Sequence, residues 1–161
     1  MKYIILTLVA LLCFQQSAMA ISAFKKEFFN MYVDKDSADP KKQEFAKVAN
    51  AKTGKCYVCH VNVKNLEEKG LKKKSVKNNY GKIISGFITK DYYDKIKKKD
   101  KERASALIRT AITQAGLFKS NPLSTISPTF DELIADGKLP GNNTPDPKDL
   151  KKAIEDRDSK K

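Results

Sequence analysis

Five residues, Cys56-Tyr57-Val58-Cys59-His60, constrain this chain more than any other stretch. His60 is the only histidine in 161 residues, and it follows directly on the second cysteine of the pair. On a helix, residues three and four apart are neighbours. The spacing therefore predicts one helical turn that presents Cys56, Cys59 and His60 on a common face, with Tyr57 and Val58 pointing elsewhere.

The opening stretch, MKYIILTLVALLCFQQSAMA, carries one lysine, then an apolar run from Tyr3 to Phe14, and closes on Ala18-Met19-Ala20. That is the order of a secretory signal peptide. The run is shorter than the roughly 20 residues of a permanent membrane helix. Cleavage is predicted after Ala20, with export to the periplasm or an equivalent compartment. Cys13 leaves with the leader, so Cys56 and Cys59 are the cysteines of the mature chain. With no second apolar segment, the mature chain is expected to have no transmembrane span. The predicted organisation is a signal peptide at 1–20, a helical domain at 21–141 and a flexible charged tail at 142–161.

The fold class read from periodicity is all-α, because sustained β-branched alternation is scarce. Phe24, Phe28 and Tyr32 recur at helical spacing after Ser22, a candidate cap. A second helix is predicted from Pro40 to about Lys52, with Phe45, Val48 and Ala49 inward. The lysine-rich stretch 62–78 reads as an exposed loop. Tyr80, Ile83, Ile84 and Phe87 mark a helix. Asp91 is expected to cap one long helix that ends near Gly116, with its stripe at Ala104, Leu107, Ile108, Ala111, Ile112 and Ala115. Thr129 or Ser127 caps a short helix that Gly137 ends. The last twenty residues have few large apolar side chains and read as a mobile tail with a transient helix at Leu150 to Glu155.

Three chemistries use two cysteines so spaced. A redox-active thiol pair sits at a strand–helix junction, for which this chain lacks strands. Structural zinc takes four ligands, and no second Cys pair or distant histidine completes the set. Covalent haem uses C-x-x-C-H as its attachment pattern. Cys56 and Cys59 then form thioethers to the two vinyl groups and His60 becomes the proximal iron ligand. One covalent haem c is therefore the expected cofactor, in a small helical cytochrome c-like domain. The sixth iron position stays open at this stage. Met31 is the one methionine beyond the leader, and Asn79, a lysine or no protein ligand are the alternatives.

Lysine and arginine total 32 against 19 aspartate and glutamate, a net charge of +13. Export argues against nucleic acid as the reason for that surplus. An acidic redox partner, met through Lys64, Lys69, Lys72, Lys73 and Lys74 beside the motif, is one reading. An anionic surface or a solvated lysine-rich exterior are the others. Two functions follow. One is an electron carrier, a non-enzymatic role. The other is a haem-based sensor or peroxidase-like protein with an open distal site, although no distal His/Arg pair is present.

Three stretches, MYVDKDSADPKKQEFAKVANAKTGKCYVCHV, KNNYGKIISGFI and SPTFDELIADGKLPG, resemble small exported c-type cytochromes of the planctomycete type. The resemblance covers about Phe24 to Gly141. It rests on Tyr32, Cys56, Cys59, His60, Asn78 or Asn79, Tyr80 and Gly81. It implies covalent haem and export and supplies no reaction. Tyr80 and Gly81 pack against the haem on that reading, the glycine letting backbone approach the ring. A helix N-terminus and an ordinary core tyrosine are the other account of them.

Overall fold

The structure is a computed structural model that describes residues 22–51, 54–61, 64–72, 75–141 and 146–159. The expected leader, with Cys13 and its cleavage site, lies outside the described residues, as do Lys73 and Lys74. The described chain is mostly helical, as periodicity predicts. Its β structure among the described residues is two isolated bridges, His60 with Lys77 and Lys119 with Thr129.

The helices are α1 (Ser22–Tyr32), α2 (Pro40–Asn50), α3 (Gly54–Tyr57), α4 (Lys64–Glu67), α5 (Asn79–Phe87), α6 (Lys90–Lys99), α7 (Lys101–Gly116), α8 (Phe130–Ala135) and α9 (Pro147–Asp158). Helix α7 is the centre, packing against α1, α5, α6 and α8. Its buried stripe is Ala104, Ile108, Ala111, Ile112 and Ala115. Alanines at three of these five positions keep that face slim, so neighbouring helices come close.

Around this axis an aromatic network ties four helices together. Phe28 of α1 meets Phe45 of α2 and Tyr80 of α5 at ring-centroid distances of 6.2 and 6.0 Å. Tyr80 in turn meets Phe130 of α8 edge-on at 5.0 Å. Edge-to-face and tilted pairs at such distances add to what burial alone contributes. Two polar pins fix α1. Arg109 of α7 pairs with the buried Glu27 at 3.0 Å. Tyr32 donates its hydroxyl proton to Asp131 Oδ1 at 2.8 Å. Burial and that carboxylate together push the Tyr32 phenol well above its ordinary value.

Helix starts follow capping chemistry. Asp39 caps α2 with Pro40 at its first position. Thr129 and Glu132 form the reciprocal capping box of α8. One expected helix is two. Asp100 takes an extended conformation, ends α6 and caps α7 by accepting from Arg103 N–H at 2.8 Å. The start of α6 is also shifted, because Thr89 rather than Asp91 is its cap.

Two further differences meet in one place. The lysine-rich stretch after the motif hides a small core of Val61, Leu66, Leu71 and Val76. Where composition predicts a mobile tail, Pro147–Asp158 is a helix, and Leu150, Ala153 and Ile154 pack against that core. A few apolar residues suffice because the groove is already formed. Lys82 of α5 latches the helix by bonding Asp146 at 3.0 Å and Asp149 at 2.5 Å. Arg157 donates to the Lys69 carbonyl at its far end.

The latch has a pH window. The Lys82 ammonium, then the Lys148 N–H, hold the Asp146 carboxyl below its ordinary 3.8. Burial works to lower the Lys82 ammonium, but the hydrogen bonds to Asp149 and Asp146 raise it above 10.5. A depressed acid stabilises above its unfolded value and loses that as pH falls through the folded one; a raised base does the reverse at the alkaline end. Amide-exchange protection in α9 is expected to hold between pH 3.8 and 10.5 and to fall outside that range. Lys82→Glu is expected to remove protection from α9 at neutral pH while α7 keeps its own; equal exchange in wild type and variant would disprove the latch.

Candidate functional site

The five residues of the motif do form one turn. Cys56 and Tyr57 end α3, and His60 N–H donates to the Cys56 carbonyl at 3.0 Å, the i to i−4 bond of an α-helix. The turn begins abruptly after α2. A Cβ on Gly54 would lie 2.1 Å from the Val48 carbonyl oxygen, so only glycine lets the chain fold back this tightly.

Asn78 holds the turn from outside. Its side-chain amide donates to the carbonyls of Tyr57 at 2.9 Å, Val58 at 3.2 Å and His60 at 3.3 Å. Its backbone N–H donates to the Cys59 carbonyl at 3.1 Å. Two amide protons are thus shared among three carbonyls, while Oδ1 accepts from Gly81 N–H at 2.8 Å and caps α5. Asn78 is 1% exposed. Two glycines make room for it. A Cβ on Gly81 would stand 2.1 Å from the Cys59 carbonyl oxygen, and one on Gly141 would stand 1.8 Å from Asn78 Nδ2. Gly81 thus makes a close approach to the motif's own backbone. Of the two asparagines the sequence leaves open, Asn78 is the clamp. Asn79 donates instead to the Ser120 carbonyl at 3.3 Å.

His60 is 4% exposed and lies at the seam between two apolar cores. Val58 and Cys59 belong to the main core, whereas Val61 and Val76 belong to the one under α9. His60 Nδ1 is 3.3 Å from the Val76 carbonyl oxygen. A ring nitrogen so engaged restrains the orientation of the imidazole.

Both thiols are free. Burial pushes the Cys59 thiol up to about 12, with the Lys77 ammonium pulling the other way and Cys56 adding slightly to the rise. Redox-active cysteines have depressed values, so this thiol is the opposite of an activated thiolate. Lys77, half-buried, donates to Ser85 Oγ at 2.6 Å, and its own ammonium is lowered by burial. Among the described residues, no three His, Cys, Asp or Glu side chains converge as a metal-ligand set.

Two free thiols and a buried histidine on one turn are the groups by which a chain would hold a covalent haem. Thioether formation needs free sulfurs on the histidine's turn, which Cys56 and Cys59 supply. An iron-ligating histidine needs a fixed ring, and His60 is buried with Nδ1 at the Val76 carbonyl. Tyr80 adds a polar atom in search of a partner, since its hydroxyl is buried and has no hydrogen-bond partner. Burial first, then the neighbouring Tyr32, Cys59 and Asp131, push that phenol well above its usual range. Otherwise Tyr80 is the core tyrosine of the aromatic network.

The candidates for a sixth ligand fare differently. Met31 is 36% exposed on the outer side of α1. Asn79 is engaged with the loop after α7. Searches of family models, of curated proteins and of solved structures found no match to this chain.

Asn78→Ala is expected to strip the clamp from three buried carbonyls and lower unfolding stability by roughly 3 kcal/mol. Asn78→Asp keeps the acceptor for Gly81 N–H but cannot donate, and is expected to cost nearly as much. Gly81→Ala is expected to match them, because the motif backbone has to move. Denaturant unfolding checks all three, and near-wild-type stability of Asn78→Ala would show that the clamp carries little.

Proposed function

We propose that this chain is an exported mono-haem c-type cytochrome that carries single electrons between protein partners. The observation that supports it most is the motif itself: one helical turn with free Cys56 and Cys59 and a His60 ring oriented by the Val76 carbonyl. Haem, when bound, supplies a one-electron iron couple whose potential depends on its axial ligands and its burial. Cys56 and Cys59 would hold it covalently and His60 would ligate the iron. Burial of His60 keeps water from the imidazole, and the Asn78 clamp keeps the turn in one shape. The sequence resemblance to planctomycete-type cytochromes supports the same reading.

The partner is read as an acidic redox protein. Lys69 and Lys72 are exposed on the segment that follows the motif, where positive charge steers an acidic surface toward the site. A second reading, a haem with an open sixth position that binds small ligands, draws on the outward placement of Met31 and the engagement of Asn79.

Intact mass and visible spectra of the protein purified from an export-competent, haem-attaching host test both. One covalent haem per chain is expected, absent from Cys56→Ala/Cys59→Ala. A low-spin spectrum unmoved by carbon monoxide after reduction is expected for the carrier. A high-spin spectrum that shifts with carbon monoxide would transfer the assignment to the second reading. A chain without covalent haem in that host would overturn both.

A further inference from the structure

The segment Ser120 to Pro128, SNPLSTISP, contains no charged residue in a chain of which 32% is charged. It forms the loop between α7 and α8, closed at its neck by Phe130 N–H to the Phe118 carbonyl at 3.0 Å and Ser120 N–H to the Pro128 carbonyl at 2.9 Å. At its tip Leu123 is 95% and Ile126 92% exposed. Leu117, Phe118 and Phe87 are exposed at the neck, the two phenylalanine rings in edge contact at 6.1 Å. Scattered exposed apolar side chains are ordinary, but large ones gathered on one projection mark a contact surface.

The loop is built from its own polar groups. Ser127 Oγ donates within it, with the Asn121 carbonyl at 3.0 Å and the Ser124 carbonyl at 3.2 Å. Asn121 Oδ1 accepts from Leu123 N–H at 3.0 Å, and the Asn121 carbonyl accepts from Ser124 N–H at 3.1 Å. Pro122 and Pro128 have no N–H to satisfy. These closed groups lower the cost of taking the tip out of water, a requirement of lipid more than of a wet protein interface.

From this we infer that the 117–129 loop docks the protein on an anionic lipid surface, with Leu123 and Ile126 entering the interfacial layer. Side chains almost wholly exposed on a loop suit a fluid medium that closes around them. Charge complementarity selects anionic headgroups. The chain carries a net charge of +13, and Lys119 stands exposed at the neck. Of the acidic groups nearby, Asp136 is ion-paired with lysines, and Glu132 is hydrogen-bonded to a backbone N–H and keeps its charge. Asp136 lies 2.7 Å from Lys41 Nζ and 3.9 Å from Lys138 Nζ, and Glu132 accepts from Thr129 N–H at 2.6 Å. Apolar insertion and electrostatic attraction add in such docking. The inference stands apart from haem attachment and does not depend on it.

Co-sedimentation with vesicles tests it, using full-length wild type and Leu123→Ser/Ile126→Ser purified identically with the same N-terminus. Phosphatidylglycerol/phosphatidylcholine vesicles are compared with phosphatidylcholine alone. Wild type is expected to prefer the anionic vesicles, and the double variant to lose at least about tenfold in partitioning, since each inserted aliphatic side chain contributes on that scale. Both substituted side chains lie in solvent, so equal thermal midpoints are expected and separate docking from folding. The chain has no tryptophan, so Leu123→Trp gives a single emitter at the tip whose emission is expected to shift to the blue with anionic vesicles. Unchanged partitioning of the double variant, equal uptake by uncharged vesicles, or no wild-type binding at all would each overturn the inference; the last would point to a protein as the partner.

Discussion

The side-chain amide of Asn78 is the constraint on which the site depends. Peptide carbonyls at the end of a short helix have no partners within it, and here the turn also has to bury a histidine. One side chain meets three of those carbonyls and caps α5 with its remaining oxygen. Motif and helix are therefore a single unit. Because α5 carries Tyr80 into the aromatic network, the position of the turn is inherited from the core and not from the irregular backbone around it.

The two apolar clusters give His60 its surroundings, and they differ in strength. The main cluster is built from helices that bury large aromatic and aliphatic side chains around α7. The smaller one is four residues under a helix with no fully buried residue of its own. Its lid is held as much by Lys82 and Arg157 as by Leu150 and Ile154. Exposed ion pairs contribute little individually, so the histidine has a rigid wall on one side and a weakly held one on the other.

Periodicity and capping chemistry were enough to read α1, α2, α5, α8 and the buried stripe of α7, because each writes a local signal: an i, i+4 face, a Pro at a first turn, a Thr-x-x-Glu box. The turn of the motif was legible for the same reason. What lay beyond local patterning was not. Leu66, Leu71 and Val76 are five residues apart, a spacing that belongs to neither helix nor strand, so the small core was invisible until α9 covered it. Asp100 looks like one more charge in a lysine-rich helix, and only its extended backbone makes it a joint. The choice between Asn78 and Asn79 is a matter of one residue in register, fixed by where Cys59 and Gly81 meet. Haem and the electron-carrying role remain readings of the motif.

Gly141 gives the clamp a place in time. It lies far along the chain from the cysteines, yet it closes over the amide that holds them. A chain that emerges N-terminus first delivers CYVCH well before Asn78, and Asn78 well before Gly141. Through that interval the turn lacks its clamp; in the finished fold Cys59 is packed against the main core. Packing around Cys59 is thus completed late, whereas Cys56 stays partly exposed in the finished fold.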